Sequence, residues 1–398
     1  MSLAGRRFLI VSAPFGSFGR VLAEAIESAG GHTSRMIFNA GDYLNWRRAN
    51  GILFREDSKA WHEAVAELSR DYTDIIIFGE GGGYNQAVLS QRDAISSRIW
   101  VLENGYFRPD WITLEQDGVN GSSGLPRMAS GYPPPGPEMP VSRPVGKILP
   151  YHVINISLYH LYQMVGGLAF PKYRHPYTMS PLWQFWGHVR RYFSLAMQPR
   201  MACDADTIRG RGPFFIACLQ REGDAQLLRY SKFADNTAFL AEVMTSFAAN
   251  APADARLVVK NHPLDPGLND LSHMTRCLAV ERGLAERVDF IDGGNLAQLC
   301  RAAEGMVVNN SSAALSALGF RTPVKVLGQA FFDFEGLTDQ QALDGFWAQP
   351  KAGDPELFKA FRAHVINKAQ INGNYHEPRA IKPTAQRIVA SFAAVSPH

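Results

Sequence analysis

Cysteine is scarce in this sequence and never paired. Cys203, Cys218, Cys277 and Cys300 are scattered over 398 residues without a CxxC spacing. That argues against a zinc ribbon or a dithiol redox motif and fits a reducing compartment. Long apolar runs are missing too. No stretch approaches the ~18 apolar residues that a membrane span needs. The N-terminal "RRFLIVSAPFG" is broken early by Pro14 and Gly16, so it reads as a first strand rather than a secretory leader. No complete G-x-G-x-x-G follows that strand, no DxD sits at a strand end, and no His/Cys cluster has ligand spacing. Dinucleotide binding and a bound metal are therefore not expected. Net charge is small: 40 Lys and Arg against 37 Asp and Glu leave +3, too little to mark a nucleic-acid binder. One absence is local. From Met139 to Cys203 there is no acidic residue, while Lys and Arg number seven.

What is present points to an α/β protein. Apolar residues make up 46% and charged residues 19% of a chain long enough for two domains. Strand-like runs at 6–14, 33–39, 74–80 and 98–105 alternate with helix-like segments at 19–31 and 58–72. After a break at 130–144, "SGYPPPGPEMPVSRP", comes an aromatic and basic stretch. The alternation then returns, with strands at 213–220, 256–263, 287–293, 305–312 and 323–328 and helices at 232–251 and 295–304. Strands alternating with helices imply parallel sheets, whose ligands bind beyond the C-terminal ends of the strands. The reading is a GT-B architecture, two Rossmann-like lobes with a cleft between them and a helical connector. Residues 1–150 would form an acceptor lobe, 151–205 the connector and 206–375 a nucleotide-sugar lobe. Residues 376–398 would be a helix packing back on the first lobe. Sugar-nucleotide epimerases and periplasmic binding proteins share this coarse pattern.

The strand ends carry the candidate chemistry. "KNHPLD" (260–265) follows "RLVV". A turn needs its proline but not its histidine. His262 is either a plain loop histidine or, beside Lys260, a hydrogen-bond donor to a phosphate, with Pro263 fixing the backbone. "NNSSAALSAL" (309–318) follows "GMVV". One polar residue suffices for an N-cap. Four in a row, Asn310, Ser311 and Ser312 among them, make an anion site with the helix N–H groups. Glu335 and Gly336 in "DFEGLT" are either a solvated turn or an acceptor for ribose or base. Glu103 in "LENGYFRPDWITLE" ends a strand near Arg108, as a candidate base or nucleophile or as a turn salt bridge. Gly16 and Ser17 in "APFGSFG", with Asp42 in "FNAGD", are candidates for admitting an acceptor.

With "GVNGSSGLPR" and "FPKYRHPYTMSP", these motifs in this order resemble the capsular polysaccharide biosynthesis family, within it the KpsS-type β-Kdo transferases. The resemblance implies a GT-B fold, CMP-β-Kdo as donor substrate and no cofactor. It implies a phosphatidylglycerol-type lipid acceptor, retention of the β configuration, and a cytoplasmic setting peripheral to the inner membrane. The His-Pro and Ser-Ser pairs resemble the CMP-phosphate motifs of bacterial sialyltransferases, which carries phosphate binding onto His262, Pro263, Ser311 and Ser312. The family pattern has two carboxylates before the glycine, whereas this chain has Glu103 then Asn104. That leaves the reactive carboxylate to Glu103, Asp42 or Glu80. The expected partners are the nucleotide-sugar donor, the lipid acceptor, the membrane surface through residues 151–200 and other capsule synthesis or export proteins. No nucleic acid is expected. A transferase for another CMP- or UDP-sugar and a non-catalytic scaffold of the assembly complex are the alternatives.

Overall fold

The computed structural model describes residues 2–136, 141–174, 204–221, 229–263 and 267–395, together with residues 183, 186, 187, 189–191, 193, 197, 227 and 265. The chain divides into two compact units. The first comprises residues 1–124, 139–176 and 365–398, the second 125–138 and 177–364.

The first unit is built on a seven-stranded sheet. Its strands are β1 (Arg7–Ile10), β2 (His32–Ile37), β3 (Gly51–Leu53), β4 (Asp74–Phe78), β5 (Arg98–Asn104), β6 (Trp111–Gln116) and, from the far end of the chain, β12 (Gln370–Asn372). Their spatial order is β12-β6-β5-β4-β1-β2-β3. The five strands from β3 to β5 are parallel, and β6 and β12 add antiparallel edges. The apolar runs "FLI" and "DIII" are buried on both faces, as a parallel sheet covered by helices requires. Helices α1 (Phe18–Ser28), α2 (Ala40–Trp46), α3 (Ser58–Ser69) and α4 (Gly83–Ser90) connect these strands. Asp57 starts α3 by accepting from the Lys59 and Ala60 amides, which satisfies two of the helix's free N–H groups. The chain leaves α1 through Gly30, whose φ of 90° suits glycine.

The second unit has a five-stranded, all-parallel sheet. Its strands are β7 (Phe214–Cys218), β8 (Arg256–Lys260), β9 (Val288–Ile291), β10 (Gly305–Val308) and β11 (Val324–Val326), in the order β11-β10-β7-β8-β9. The two-sheet α/β fold expected from the alternation is present. The short strands β3, β6 and β12 had no counterpart in that reading.

The unit boundaries differ from the sequence-derived ones. The connector 151–205 is not a body of its own. Helix α5 (Ile148–Val165) belongs to the first unit, where Tyr159 is buried against Gly41. The described residues between 183 and 197 belong to the second. Helices α6 (Ala205–Arg209), α7 (Asn236–Asn250), α8 (Leu271–Glu281), α9 (Leu296–Ala302), α10 (Ala313–Gly319) and α11 (Leu343–Phe346) follow. The return to the first unit falls within α12 (Pro355–Ala369), at Val365. Residues 365–375 therefore group with the first lobe, because β12 pairs with β6. The last helix, α13 (Pro378–Ala393), starts with Glu377 capping the Arg379 and Ala380 amides. It buries Ile381, Ala385, Ile388 and Phe392 in one core with Phe8, Phe18 and Trp100. Part of "FPKYRHPYTMSP", residues 175–181, lies outside the described residues, as does Cys203.

Candidate active site

In the second unit β7 is the first strand. The chain adds β8 and β9 on one side of it, then crosses back to add β10 and β11 on the other. The crevice beyond the C-terminal ends of β7 and β10 is therefore a topological switch point, where open α/β sheets bind ligands. The register defines what gathers there. Cys218 pairs with Val308 on one side and with Lys260 on the other. Just past these strand ends come Asn310, Gln220 and His262, of which Gln220 and Asn310 are hydrogen-bonded to each other. β8 and β10 flank β7, so their backbones are about 10 Å apart. A ring from one side and hydroxyls from the other can close on one phosphate across that span.

Each position is fixed by hydrogen bonds. Gln220 donates from Nε2 to Asn310 Oδ1 at 2.6 Å and accepts at Oε1 from Asn309 Nδ2 at 3.0 Å. Asn310 Nδ2 donates to the Tyr230 carbonyl at 3.1 Å. This buried amide ladder sets the floor of the strand-end group. Asn309 Oδ1 lies where a Gly328 Cβ would be 2.3 Å away, so only glycine fits at 328. Ser311 Oγ accepts from the Ala313 amide at 3.3 Å, and Ser312 is the N-cap of α10 without a side-chain cap bond. Both serines are half-buried.

The His262 loop is held by an arginine that sequence reasoning did not single out. Arg191, buried, donates to the carbonyls of His262 (3.0 Å) and Pro263 (2.9 Å) and also to that of Asp265. It pairs with Asp292 just past β9 at 2.5 and 2.8 Å. The His262 amide donates to Asn261 Oδ1 at 2.8 Å. The imidazole is half-buried and Pro263 is exposed. Lys260 does not join the group as a ligand. It is buried, and its Nζ donates to the Gly293 carbonyl at 2.8 Å, which fixes the exit of β9. Glu335 and Gly336 are exposed in a turn, where the Gly336 carbonyl accepts the Asp354 amide. No hydrogen bond among the described residues ties Glu335 to the strand-end group. Cys218 is buried, which pushes its thiol up to about 11 and leaves it inert at neutral pH.

The first unit has its own switch point between β1 and β4. Ser12 Oγ accepts the Phe78 amide (2.7 Å) and donates to Asn85 Oδ1 (2.8 Å). Asn85 Nδ2 donates to the Phe78 and Gly79 carbonyls. Next to this stitch, Glu103 is the last residue but one of β5. Its Oε1 accepts from the Asn104 amide at 2.8 Å and from the Asn104 side chain at 3.3 Å. Asn104 thus orients Glu103. Gly79 has φ 71°, and a Cβ there would lie 2.9 Å from Glu103 Oε2. Tyr375 donates its hydroxyl to the Glu103 carbonyl at 2.9 Å.

Asp42 is not available to an acceptor. It is buried, and its carboxylate accepts from Arg35 (3.0 Å), the Phe38 amide (3.2 Å), Asn39 (3.0 Å) and Tyr159 (3.2 Å). These bonds account for the residue as an internal ion pair. Burial still holds its carboxyl above the ordinary range. Glu80 is also buried and accepts the Val119 amide at 2.8 Å. Arg108 is exposed and donates from Nε to the Gly105 carbonyl at 3.2 Å. Ser17 is the N-cap of α1 without a side-chain cap bond. At Gly16, φ 93°, a Cβ would sit 2.7 Å from the Asn155 side chain, so α5 covers this loop closely. Asn155 lies 3.2 Å from His376 Nδ1, and His376 Nε2 lies 2.9 Å from His152 Nδ1. Burial, with His152 beside it, pushes His376 down to about 3 and keeps it neutral.

Glu115 explains the motif "GVNGSSG". It accepts from Tyr106 Oη at 2.6 Å and from Ser123 Oγ at 2.5 Å, while Tyr106 accepts the Asn120 amide at 2.7 Å. Burial, with Glu80 nearby, pushes its carboxyl up to about 7, from an ordinary 4.5. Between those values the folded protein holds a proton that the unfolded chain has lost, so this group adds stability as pH falls from about 7 towards 4.5. Relative to Glu115→Gln, the wild type is expected to gain about 1 kcal/mol between pH 8 and pH 6. Denaturant titrations at the two pH values measure this. An unchanged difference would contradict the assignment.

Residues 73–376 match the family described as capsule polysaccharide biosynthesis protein. The chain is 32% identical over 387 residues to the Capsule polysaccharide export protein KpsS of Escherichia coli, covering 94% of this chain and 98% of that protein. It is 32% identical over 393 residues to the Capsule polysaccharide modification protein LipB of Neisseria meningitidis serogroup B, covering 94% and 92%. Among solved structures, the Thermosulfurimonas dismutans KpsC β-Kdo 2,7 transferase aligns over 98% of this chain and 99% of that one. The identity is 13% and the TM-score 0.42. The motifs at the strand ends and the family match over most of the chain lead to one conclusion: the chain belongs to the capsule polysaccharide biosynthesis protein family.

Proposed function

We propose that the protein is a glycosyltransferase that moves a β-Kdo residue from CMP-β-Kdo to a phosphatidylglycerol-type lipid, starting the poly-Kdo linker of a capsule. The observation that supports this most is the placing of Asn310, Gln220 and His262 just past the strand ends at the switch point of the second unit, with Ser311 and Ser312 following Asn310. Such an arrangement suits a nucleoside monophosphate leaving group. His262 and the two serine hydroxyls donate to the cytidylate oxygens, where charge builds as the bond to the sugar breaks. The electron pair of that bond leaves with the phosphate. Retention needs a nucleophile that bonds the anomeric carbon and is then displaced by the acceptor oxygen, whose proton passes to a phosphate oxygen of the released CMP; Glu103 is the carboxylate proposed for that role. Two displacements retain the β configuration. The relatives' names place them in capsule export and modification, which agrees with this reading.

The test is incubation with a fluorescent phosphatidylglycerol analogue and CMP-Kdo generated in situ. The expected product carries one β-linked Kdo. Product from CMP-sialic acid or a UDP-sugar, but not from CMP-Kdo, would reassign the donor. CMP binding without turnover of any donor would favour a scaffold role.

A further inference from the structure

Helix α5 is largely apolar. Three of its polar side chains face the protein: Tyr159 bonds with Asp42 and Asn39, and His152 and Asn155 pack around His376. Its apolar side chains face out. Ile154, Leu158, Leu161 and Val165 recur at helical spacing, and Leu168 continues the stripe just past the helix end. All five are exposed, Val165 by 79% and Leu168 by 97%. Soluble helices bury such a stripe, so an apolar surface has to cover this one. The charge pattern selects which. The 18 residues of α5 contain no Asp, Glu, Lys or Arg. Arg143 and Lys147 are exposed ahead of it. Lys172 and Arg174 are exposed behind it, Lys172 sharing Glu56. No acidic residue occurs between 139 and 203. A protein interface has a polar rim with hydrogen-bond partners. A bare apolar stripe with cationic flanks instead matches the boundary of an anionic bilayer. Among the described residues no helix is long and apolar enough to cross a membrane, so α5 would lie along the surface.

We propose that the outward face of α5 docks the first unit on an anionic lipid bilayer, with Ile154, Leu158, Leu161, Val165 and Leu168 at the headgroup–acyl boundary. The proposal rests on the lipid-acceptor reading above and names the surface that presents the acceptor. The same helix covers the Gly16 loop through Asn155, so docking would bring this strand-end region to the headgroups.

The test is co-sedimentation of the full chain with phosphatidylcholine vesicles, with and without 30 mol% phosphatidylglycerol. The wild type is expected to bind the mixed vesicles, and the pure ones more weakly. The combined variant Ile154→Glu/Leu158→Glu/Leu161→Glu is expected to bind at least about tenfold more weakly. Leu168→Glu, at an almost fully exposed position, is a second variant that leaves the helix untouched. Wild type that ignores mixed vesicles, or both variants binding as wild type does, would overturn the proposal. So would a wild-type dimer that the triple variant loses while vesicles stay unbound, because a second copy would then cover the face. The assay contains no sugar donor. Vesicle binding without Kdo transfer would sink only the functional reading. Transfer to a detergent-dispersed acceptor without vesicle binding would sink only the docking surface.

Discussion

Glu103→Gln is expected to lower Kdo transfer by about a thousandfold or more while the protein keeps its fold. The side chain keeps its size, and the amide oxygen can still accept from the Asn104 N–H that holds Oε1 at 2.8 Å. The close approach to Gly79 is unaltered, and the Tyr375 hydroxyl still meets the Glu103 backbone carbonyl. What is lost is the negative charge and the nucleophilic oxygen. The other carboxylates open to this role on sequence grounds are poor substitutes. Asp42 is occupied by Arg35, Phe38, Asn39 and Tyr159, and Glu80 is buried on the Val119 amide. Initial rates on the fluorescent lipid, with thermal unfolding as the fold control, measure the effect. Full activity in Glu103→Gln would remove Glu103 from the mechanism.

His262→Ala is expected to weaken CMP binding by at least about tenfold and to lower turnover by about a hundredfold or more. A hydrogen bond to a charged oxygen contributes more than a neutral one, and its value rises as the leaving phosphate gains charge. The backbone at 262 is fixed by groups that do not depend on the imidazole. Arg191 holds the carbonyl, and Asn261 accepts the amide. An alanine there keeps the loop in place, so a loss of activity reports on the ring. By contrast, Lys260 acts through the Gly293 carbonyl, and its removal would disturb the β9 exit rather than the phosphate alone.

The contrast between His262 and Lys260 shows what was legible in the sequence. A strand end is visible as an apolar run that stops at polar residues, and so the polar run at Asn310, Ser311 and Ser312 could be read. Which of two adjacent polar side chains turns to a neighbouring carbonyl is set by the sheet register, which no local pattern encodes. Gln220 escaped notice for the same reason: it looks like the last residue of a strand until β10 is placed beside β7. Arg191 lies 71 residues before the loop it holds, inside the aromatic and basic connector, where no local pattern singles out one arginine. Asp42 looked accessible because "FNAGD" is glycine-rich and polar, but α5 closes over it through Tyr159. The main parallel strands were legible because they are apolar on both faces. Strand β12 was not, since it is three residues long and pairs with β6 from 257 residues away. The lobe boundaries shifted for a similar cause: residues 365–398 complete the first sheet and its helical cover, a link that lies in space and not along the chain.

Calorimetric titration of CMP into the wild-type chain and into His262→Ala tests the central claim most directly, because it needs neither acceptor nor intact donor. Saturable binding at one site per chain, weakened at least about tenfold in the variant, is the result the strand-end group predicts. No CMP binding, or equal affinity in both proteins, would contradict it.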